Sequence, residues 1–266
     1  MPTLVLVAAF ARAAGAQAAD PHAALPERPS VATHAATVAP GWLEVEGGIE
    51  RPRDDGRFGD TTVPLALKVG LASQAQLTVA PSLARPAGGS VALEAMNAGV
   101  KYRLTDHAPV FGAVAVLPSV TMPAGSARDM DEDAVGLLLI SSRTLGAVSV
   151  DLNAGYTRRR GDGSRAPRHE SLWAASAGGP LSGRVSWMGE VSGSPRTSGP
   201  AGRARVVNSV VGVNAAVTPF LVLDVAAFVP LAGDDAFTVM SGAVWNVGRL
   251  WRKTSAGQRA EGQGHR

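Results

Sequence analysis

The chain has 266 residues, 45% of them hydrophobic and 18% charged, with a formal net charge of +3. This balance excludes a disordered chain, and no stretch offers the roughly 18 consecutive apolar residues of a spanning helix. The absence of Cys excludes disulfides, thiolate zinc sites and a cysteine nucleophile. With 31 Gly, 18 Pro and no long helical pattern, the composition favours many short strands joined by turns.

Residues 1–18 are predicted to be a signal peptide. An apolar run from Leu4 to Phe10 precedes small residues, and Ala14-Gly15-Ala16 and Ala16-Gln17-Ala18 both match the small-x-small cleavage pattern. The alternative is an ordinary apolar N-terminal helix. Residues 19–40 follow and contain four prolines, which exclude a regular helix or a central strand. We expect an extended periplasmic segment there, a candidate plug.

From Gly41 to Trp251 the hydrophobic period is two, which indicates strands with one apolar and one polar face. The predicted strands are 41–51, 61–72, 75–82, 94–104, 109–122, 134–143, 147–157, 169–178, 183–191, 204–217, 220–229 and 237–247. Short turns and longer polar loops alternate between them without a break. This is the pattern of an all-β, closed antiparallel transmembrane β-barrel of about 12 strands, an up-and-down meander over residues 41–251. Residues 252–266 form a polar C-terminal tail.

In such a barrel the apolar face contacts lipid and the polar face lines the lumen. The predicted pore-lining residues carry both signs of charge: Trp42, Glu44, Glu46, Lys68, Asn97, Lys101, Arg103, Asp151, Asn153, Arg184, Glu190, Asn208, Asn214 and Asp224. They form either a polar pathway or a salt-bridge lattice that fills the barrel. We expect Arg28 of the candidate plug to pair with Glu44 or Glu46. Sparse aromatic residues at Tyr102, Tyr156, Trp173, Trp187, Phe228 and Trp245 would form the interfacial girdle.

Several short segments resemble one outer-membrane family when read in order. They are Arg28-Pro29-Ser30, then Thr37 to Gly48, Gly99 to Asp106, Met122 to Gly125, Asp151 to Tyr156 and Thr218 to Asp224. The chain resembles the transporter-like outer-membrane family named for the phenol meta-degradation pathway. Glu27 and Ala39 depart from the family's usual Asp and Pro, and a polar tail follows Trp251 where the barrel normally ends. The resemblance implies an outer-membrane transporter or channel.

Other motifs favour unremarkable roles. Asp129 to Asp133 begins like a calcium loop but lacks its Gly and its bidentate Glu, which leaves a surface calcium site or a solvated acidic loop. Gly161 to Ala166 fits a loose dinucleotide pattern without a following helix, so it is predicted to be a turn. The basic loop with Arg158, Arg159, Arg160, Arg165 and Arg168 either contacts lipopolysaccharide phosphates or is solvated. The arginines are not interleaved with aromatics, so no nucleic-acid partner is expected.

The sequence therefore predicts a non-enzymatic outer-membrane channel or transporter of a Gram-negative bacterium. Its cargo would be small molecules, including hydrophobic or aromatic compounds, and no cofactor, metal or catalytic residue is expected. Outer-membrane lipids, lipopolysaccharide and the barrel-assembly machinery are the expected partners. Two alternatives remain: a lipid hydrolase that uses His169 and Ser171, which share one strand face, and a non-conducting structural barrel.

Overall fold

A computed structural model describes residues 20–54, 56–86, 89–125 and 131–251. The predicted signal peptide and C-terminal tail lie outside these residues, as do Asp129 and Met130 of the acidic motif at 129–133. No helix within the described ranges is both long and apolar enough to cross a membrane.

The described residues form one antiparallel sheet that closes on itself. Its strands are β1 (Trp42–Asp54), β2 (Arg57–Phe58), β3 (Thr61–Ala72), β4 (Ala75–Arg85), β5 (Ala92–Ala108), β6 (Gly112–Pro123), β7 (Ala134–Leu145), β8 (Val148–Arg159), β9 (His169–Ser182), β10 (Val185–Ser194), β11 (Val206–Thr218), β12 (Leu221–Ala232) and β13 (Phe237–Arg249). The two-residue β2 only pairs, antiparallel, with the last two residues of β1. The other twelve strands pair in sequence order, and β13 pairs with β1. The predicted twelve-stranded, up-and-down barrel is confirmed.

Short connections gather at one end of the barrel, the turn rim, and longer ones at the other end, the loop rim. The largest corrections concern two predicted turns. Residues 179–182, expected between the strands 169–178 and 183–191, continue β9, and that turn lies at 183–184. Residues 105–108, expected in a turn, continue β5, and the turn lies at 109–111. Register shifts between Arg103 and Ala108 explain the difference, because bulges carry extra residues that blur the alternation.

The two faces of the wall match the predicted alternation. On β7, Val135, Leu137 and Leu139 are exposed, whereas Ile140 and Ser142 are buried inside the barrel. An apolar outer face of this kind is expected of a barrel that spans a bilayer. Phe228 is an exception to the predicted girdle, because it packs against a buried lumenal cluster of Val210, Ala226 and Met240.

The outer face allows a depth test on a single strand. Leu139, near the middle of β7, is 50% exposed, and Leu145 at the turn rim is 54% exposed. Leu139→Arg should destabilise the barrel by about 2–4 kcal/mol, since a cation at bilayer mid-depth loses its hydration. Leu145→Arg should cost only about 0–1 kcal/mol. Urea unfolding in lipid vesicles measures both values, and equal losses would contradict the assigned depth.

Candidate functional site

Polar side chains line the barrel interior, and most of the predicted lining residues are among them. Glu44, Glu46, Lys68, Lys101, Arg103, Asn153, Glu190, Asn208 and Asp224 are buried. Trp42, Asn97, Asp151 and Asn214 are partly buried. Arg184 differs, because it lies in the exposed turn between β9 and β10, where it donates a hydrogen bond to the carbonyl of Val217. Five further buried polar residues of the described wall were not predicted: Gln76, Ser142, Ser176, Ser192 and Asn246.

Residues 20–40 run through this interior as an extended segment, here called the inner segment. It begins near the turn rim, where Asn246 donates hydrogen bonds to the carbonyls of Pro21 and Ala23, both 3.2 Å. His22 stacks on Phe220 with ring centroids 4.5 Å apart. The segment ends beside β3, where Pro40 pairs with Gly70. Gly70 is required at this point, because a Cβ there would collide with the carbonyl oxygens of Val38 and Ala39.

Between these ends, side chains of the wall accept hydrogen bonds from the backbone N–H groups of the inner segment. The carboxylates of Glu44 and Glu46 accept from Leu25 (2.7 Å) and Glu27 (2.9 Å). Around the barrel, Glu190 accepts from Val31 and Ala32, Asn153 from Thr33, Ser142 from Ala35 and Gln76 from Val38. These bonds satisfy buried donors that no strand pairs with. Ala35 also packs, fully buried, against Ala113, Ala115 and Ile140.

A charge cluster holds the first half of the inner segment. Glu27 contacts two wall ammonium groups: its Oε2 lies 2.8 Å from the Nζ of Lys68, and its Oε1 is bonded to Lys101. Lys68 also contacts Glu44 and Glu46. Burial alone would raise the pKa of Glu27, but the positive charges of Lys101 and Lys68 outweigh it and lower that pKa well below its usual value. The carboxylate therefore stays charged at neutral pH.

Lys101 is the wall residue with the most varied contacts to the segment. Besides Glu27, its ammonium donates to Thr33 Oγ1 (3.1 Å) and to the carbonyls of His34 (2.9 Å) and Ala36 (3.3 Å). A single side chain on β5 thus binds both the first and the second half of the inner segment.

Arg28 occupies a glycine-lined slot between β1 and β13. Its guanidinium lies 3.6 Å from Glu50 and 3.8 Å from Asp224, instead of pairing with Glu44 or Glu46 as predicted. Those two carboxylates are already engaged by Lys68 and by backbone N–H groups. Gly48 and Gly242 face each other across the strands, and a Cβ on either would collide with the guanidinium. At these distances the contact is an ion pair without hydrogen bonds, so it holds the segment less firmly than Lys101 does.

The loop rim carries a second, separate ion pair. Arg159, at the end of β8, lies 2.9 Å from Asp131 and 2.8 Å from Glu170. The loop that follows, 160–168, buries Ala166 and Pro167. Arg159 is thus partnered by carboxylates. Exposed positions hold the other arginines of the predicted basic loop, Arg158, Arg160, Arg165 and Arg168.

His169 and Ser171, the alternative catalytic pair, are exposed on the outer face of β9, as their spacing predicts. The Nδ1 of His169 lies 2.6 Å from the hydroxyl of Tyr156 on β8. Within the described part of the chain, no group of three or more His, Cys, Asp or Glu residues could hold a metal ion.

Comparisons with known proteins identify the fold. No family profile matches the chain, and no curated protein matches it in sequence. Among solved structures, an outer-membrane channel from Pseudomonas putida F1 (the COG4313 channel) is similar, with a TM-score of 0.58 and 14% identity over 83% of this chain and 98% of that one. The KdgM porin gives 0.54 at 11% identity, over 77% of this chain and 99% of its own. The NanC porin gives 0.53 at 10% identity, over 77% and 98%. At these identities the likeness shows a shared outer-membrane barrel fold.

Proposed function

We propose that this protein is an outer-membrane channel for small molecules and that residues 20–40 are its gate. One observation carries the proposal: an extended segment crosses the lumen and is bound there by side chains of the wall rather than by strand pairing. A structural barrel can fill its lumen with the side chains of its own strands and would need no separate segment there. The barrel closes through β1 and β13 without it, so the segment can leave while the wall persists.

The bonding of the inner segment suits a reversible gate. Its contacts are mainly ion pairs and hydrogen bonds between backbone groups and polar side chains, and water can replace each of them when the segment moves. Apolar burial, which would make release costly, is limited to Leu25, Val38 and four alanines of the segment. Residues 37–40 remain anchored beside Gly70 and Gln76 and would act as the hinge.

The outer face and the fold support an outer-membrane location in a Gram-negative bacterium. With an even number of spanning strands, the turn rim and the inner segment face the periplasm and the loops face outward. A substrate would then enter at the loop rim and meet the gate in the inner half of the lumen.

The lining beyond the gate indicates the class of substrate. Between the inner segment and the loop-rim ion pairs, the partly exposed lining carries the carboxylate of Glu50, which pairs with Arg28, and no cation within the described residues. Its other members are uncharged: Pro64, Ser82, Asn97, Thr121, Leu138, Thr157, Leu172 and Phe228. A channel for anionic cargo would place cations there. Neutral molecules, including hydrophobic or aromatic ones, fit this vestibule better than acidic oligosaccharides do.

Solute flux tests the proposed function directly. Liposomes that contain the purified barrel should admit small neutral solutes faster than anionic solutes of equal size, once the gate is removed by deletion of residues 20–36. Faster passage of the anions would contradict the substrate class. No passage of either solute would instead support the non-conducting structural barrel.

The lipid-hydrolase alternative has a separate test. We propose that His169 and Ser171 are not catalytic, because the hydroxyl of Tyr156 occupies the His169 Nδ1 and, within the described residues, no carboxylate lies in hydrogen-bond contact with that imidazole. Ser171→Ala should therefore leave phospholipid and ester hydrolysis at the background level of the wild-type protein. A wild-type activity that disappears in Ser171→Ala would overturn this assignment.

The gate should also respond to pH through His34. Burial lowers the pKa of His34 from 6.5 to about 4, and Lys101 acts in the same direction. The docked segment therefore prefers a neutral imidazole, and above pH 6.5 the contribution of His34 to the stability of the docked state is fully present. As pH falls from 6.5 towards 4 the released segment takes up the proton, so docking should weaken by up to about tenfold per pH unit.

Single-channel recording between pH 7 and 4 checks this expectation with a matched variant. Four groups face the His34 imidazole: Glu27, Lys68, Lys101 and the carbonyl of Leu25. Glu27 keeps its charge between pH 7 and 4, because its pKa is lowered well below its usual value. Open probability should rise on acidification in the wild type and rise less in His34→Gln, which cannot titrate. Identical pH profiles would show that His34 has no part in gating.

A further inference from the structure

A patch of arginines lies on the outer face of the barrel at the loop rim. The arginine patch consists of Arg51 and Arg53 on β1 and Arg85 on β4, and all three are exposed. Arg51 and Arg53 alternate with the inward Glu50 and therefore continue the outward row of β1 that begins with Leu43. The patch belongs to the surface of the wall and has no part in the lumen.

The strand register brings these arginines together. Thr61 on β3 pairs with Arg85, and the next residue, Thr62, pairs with Glu50 of β1. Arg51 and Arg85 thus lie on either side of Thr61, separated by two strand spacings, or roughly 10 Å. An anionic group above Thr61 would be within reach of both guanidinium groups.

An aromatic ring orders two members of the patch. The guanidinium of Arg51 lies 4.6 Å from the ring centroid of Phe58, and that of Arg53 lies 5.9 Å from it. Stacking of this kind fixes the plane of the guanidinium and leaves its N–H groups free for a phosphate or carboxylate. Phe58 is itself 48% exposed, which leaves its surroundings open to a ligand.

Ion pairing distinguishes the patch from Arg159. Within the described residues, no ion pair joins Arg51, Arg53 or Arg85 to a carboxylate, in contrast to Arg159 on the same rim. Arg85 makes one recorded contact, a 3.3 Å hydrogen bond to the carbonyl of Gly89. Three exposed cations held near one another, none of them in an ion pair within the described part of the chain, favour an external polyanion.

The depth of the patch identifies the anion. Ile49, directly below Arg51 on the same row, is 48% exposed and belongs to the apolar belt, and Phe237 pairs with Arg53 at the edge of that belt. The arginines therefore lie at the height of lipid headgroups. We propose that the arginine patch binds the phosphate groups of lipid A, the phosphorylated glycolipid of the outer leaflet; this rests on the proposed outer-membrane location. Several fork-shaped donors spread over roughly 10 Å suit a headgroup that carries more than one phosphate.

Native mass spectrometry of the purified full-length barrel with bis-phosphorylated lipid A tests this site. The triple variant Arg51→Gln, Arg53→Gln, Arg85→Gln should bind lipid A on the order of 100-fold more weakly, because each surface arginine contributes about fivefold. Phe58→Leu keeps all three charges but removes the stacking platform, and it should weaken binding several-fold. An unchanged lipid A affinity in the triple variant would overturn the proposal.

A charge-matched control separates a defined site from general attraction to a basic rim. The variant Arg158→Gln, Arg160→Gln, Arg168→Gln removes as many cations from the same rim and should change lipid A binding by less than threefold. An equal loss in this control, or equal affinity of the wild type for phosphatidylglycerol, would show a non-specific anion surface and contradict the proposal. The assay does not depend on conduction, so a barrel that binds lipid A but passes no solute would count against the proposed function alone.

Discussion

Deletion of residues 20–36 is expected to convert a barrel that is mostly closed into one that conducts continuously. The inner segment fills the inner half of the lumen and engages side chains on β1, β4, β7, β8, β10 and β13. After the deletion, water would hydrate Lys68, Lys101 and their carboxylate neighbours in the open lumen. Because the anchor at 37–40 and all strands remain, the barrel itself should still assemble.

Single-channel recording in planar bilayers measures this effect as conductance and open probability. Both should rise several-fold over the full-length chain, and a synthetic peptide of residues 20–36 added on the turn-rim side should reduce them again. Re-closure by the peptide distinguishes a gate from a deformed barrel. Unchanged conductance in the deletion would mean that the segment is a tether with no role in permeation.

Lys101→Met is expected to release the inner segment without shortening it. The substitution keeps most of the side-chain volume but removes the ammonium that bonds Glu27, Thr33, His34 and Ala36. It leaves the buried Glu27 carboxylate with Lys68 as its remaining ammonium partner. Loss of one member of a buried ionic network costs about 3–5 kcal/mol, enough to favour the undocked state.

Arg103→Met provides the matched control for Lys101→Met. Arg103 lies two residues further along the same face of β5, but it binds the carbonyl of Ser73 and the carboxylate of Asp106 at the turn rim rather than the inner segment. Limited proteolysis from the turn-rim side should cut residues 20–36 quickly in Lys101→Met and slowly in Arg103→Met. Similar cleavage in both variants would mean that Lys101 does not hold the segment. Arg28→Ala should give an intermediate rate, since its ion pairs lie at 3.6 and 3.8 Å.

The barrel could be predicted from sequence because its main signal, the alternation of apolar and polar residues, lies within each single strand. An antiparallel wall with lipid on one side and polar contacts on the other imposes a period of two on every strand, and Leu43, Val45 and their equivalents record it. The alternation of short and long connections then fixes the meander. Prediction was least accurate at the end of β5, where bulges interrupt the period, and at Phe228, whose apolar side chain faces an apolar patch in the lumen.

The lining residues were predictable for the same reason, but their partners were not. The alternation of inward and outward side chains along each strand is enough to place Glu44, Lys68 and Lys101 inside the barrel. The inner segment has no period, so its register against the wall leaves no signal in the sequence. The prediction that Arg28 pairs with a lumenal carboxylate therefore has the right kind of partner but the wrong residues. It named Glu44 and Glu46, whereas the structure shows Glu50 and Asp224.

Gln76, Ser142 and Asn246 were missed because they are small or uncharged and read as ordinary strand residues. In the structure Gln76 and Ser142 each accept one hydrogen bond from a backbone N–H of the inner segment, and Asn246 donates two to its carbonyls. The alternation along their strands points all three into the lumen, so they could have been predicted by including every inward polar residue and not mainly the charged ones. Arg184 shows the opposite error: its parity is inward, but its position in a turn leaves it in solvent.

A reversible covalent lock tests most directly whether residues 20–40 are a gate. Ala35 of the inner segment and Ala115 of β6 are both fully buried in one cluster, and the natural chain contains no Cys that could compete. In the double variant Ala35→Cys, Ala115→Cys, oxidation should abolish channel openings, and a reductant should restore them to the level of the single variant Ala35→Cys. A mass shift on alkylation reports whether the disulfide has formed. Equal conductance of the cross-linked and reduced forms would contradict the account.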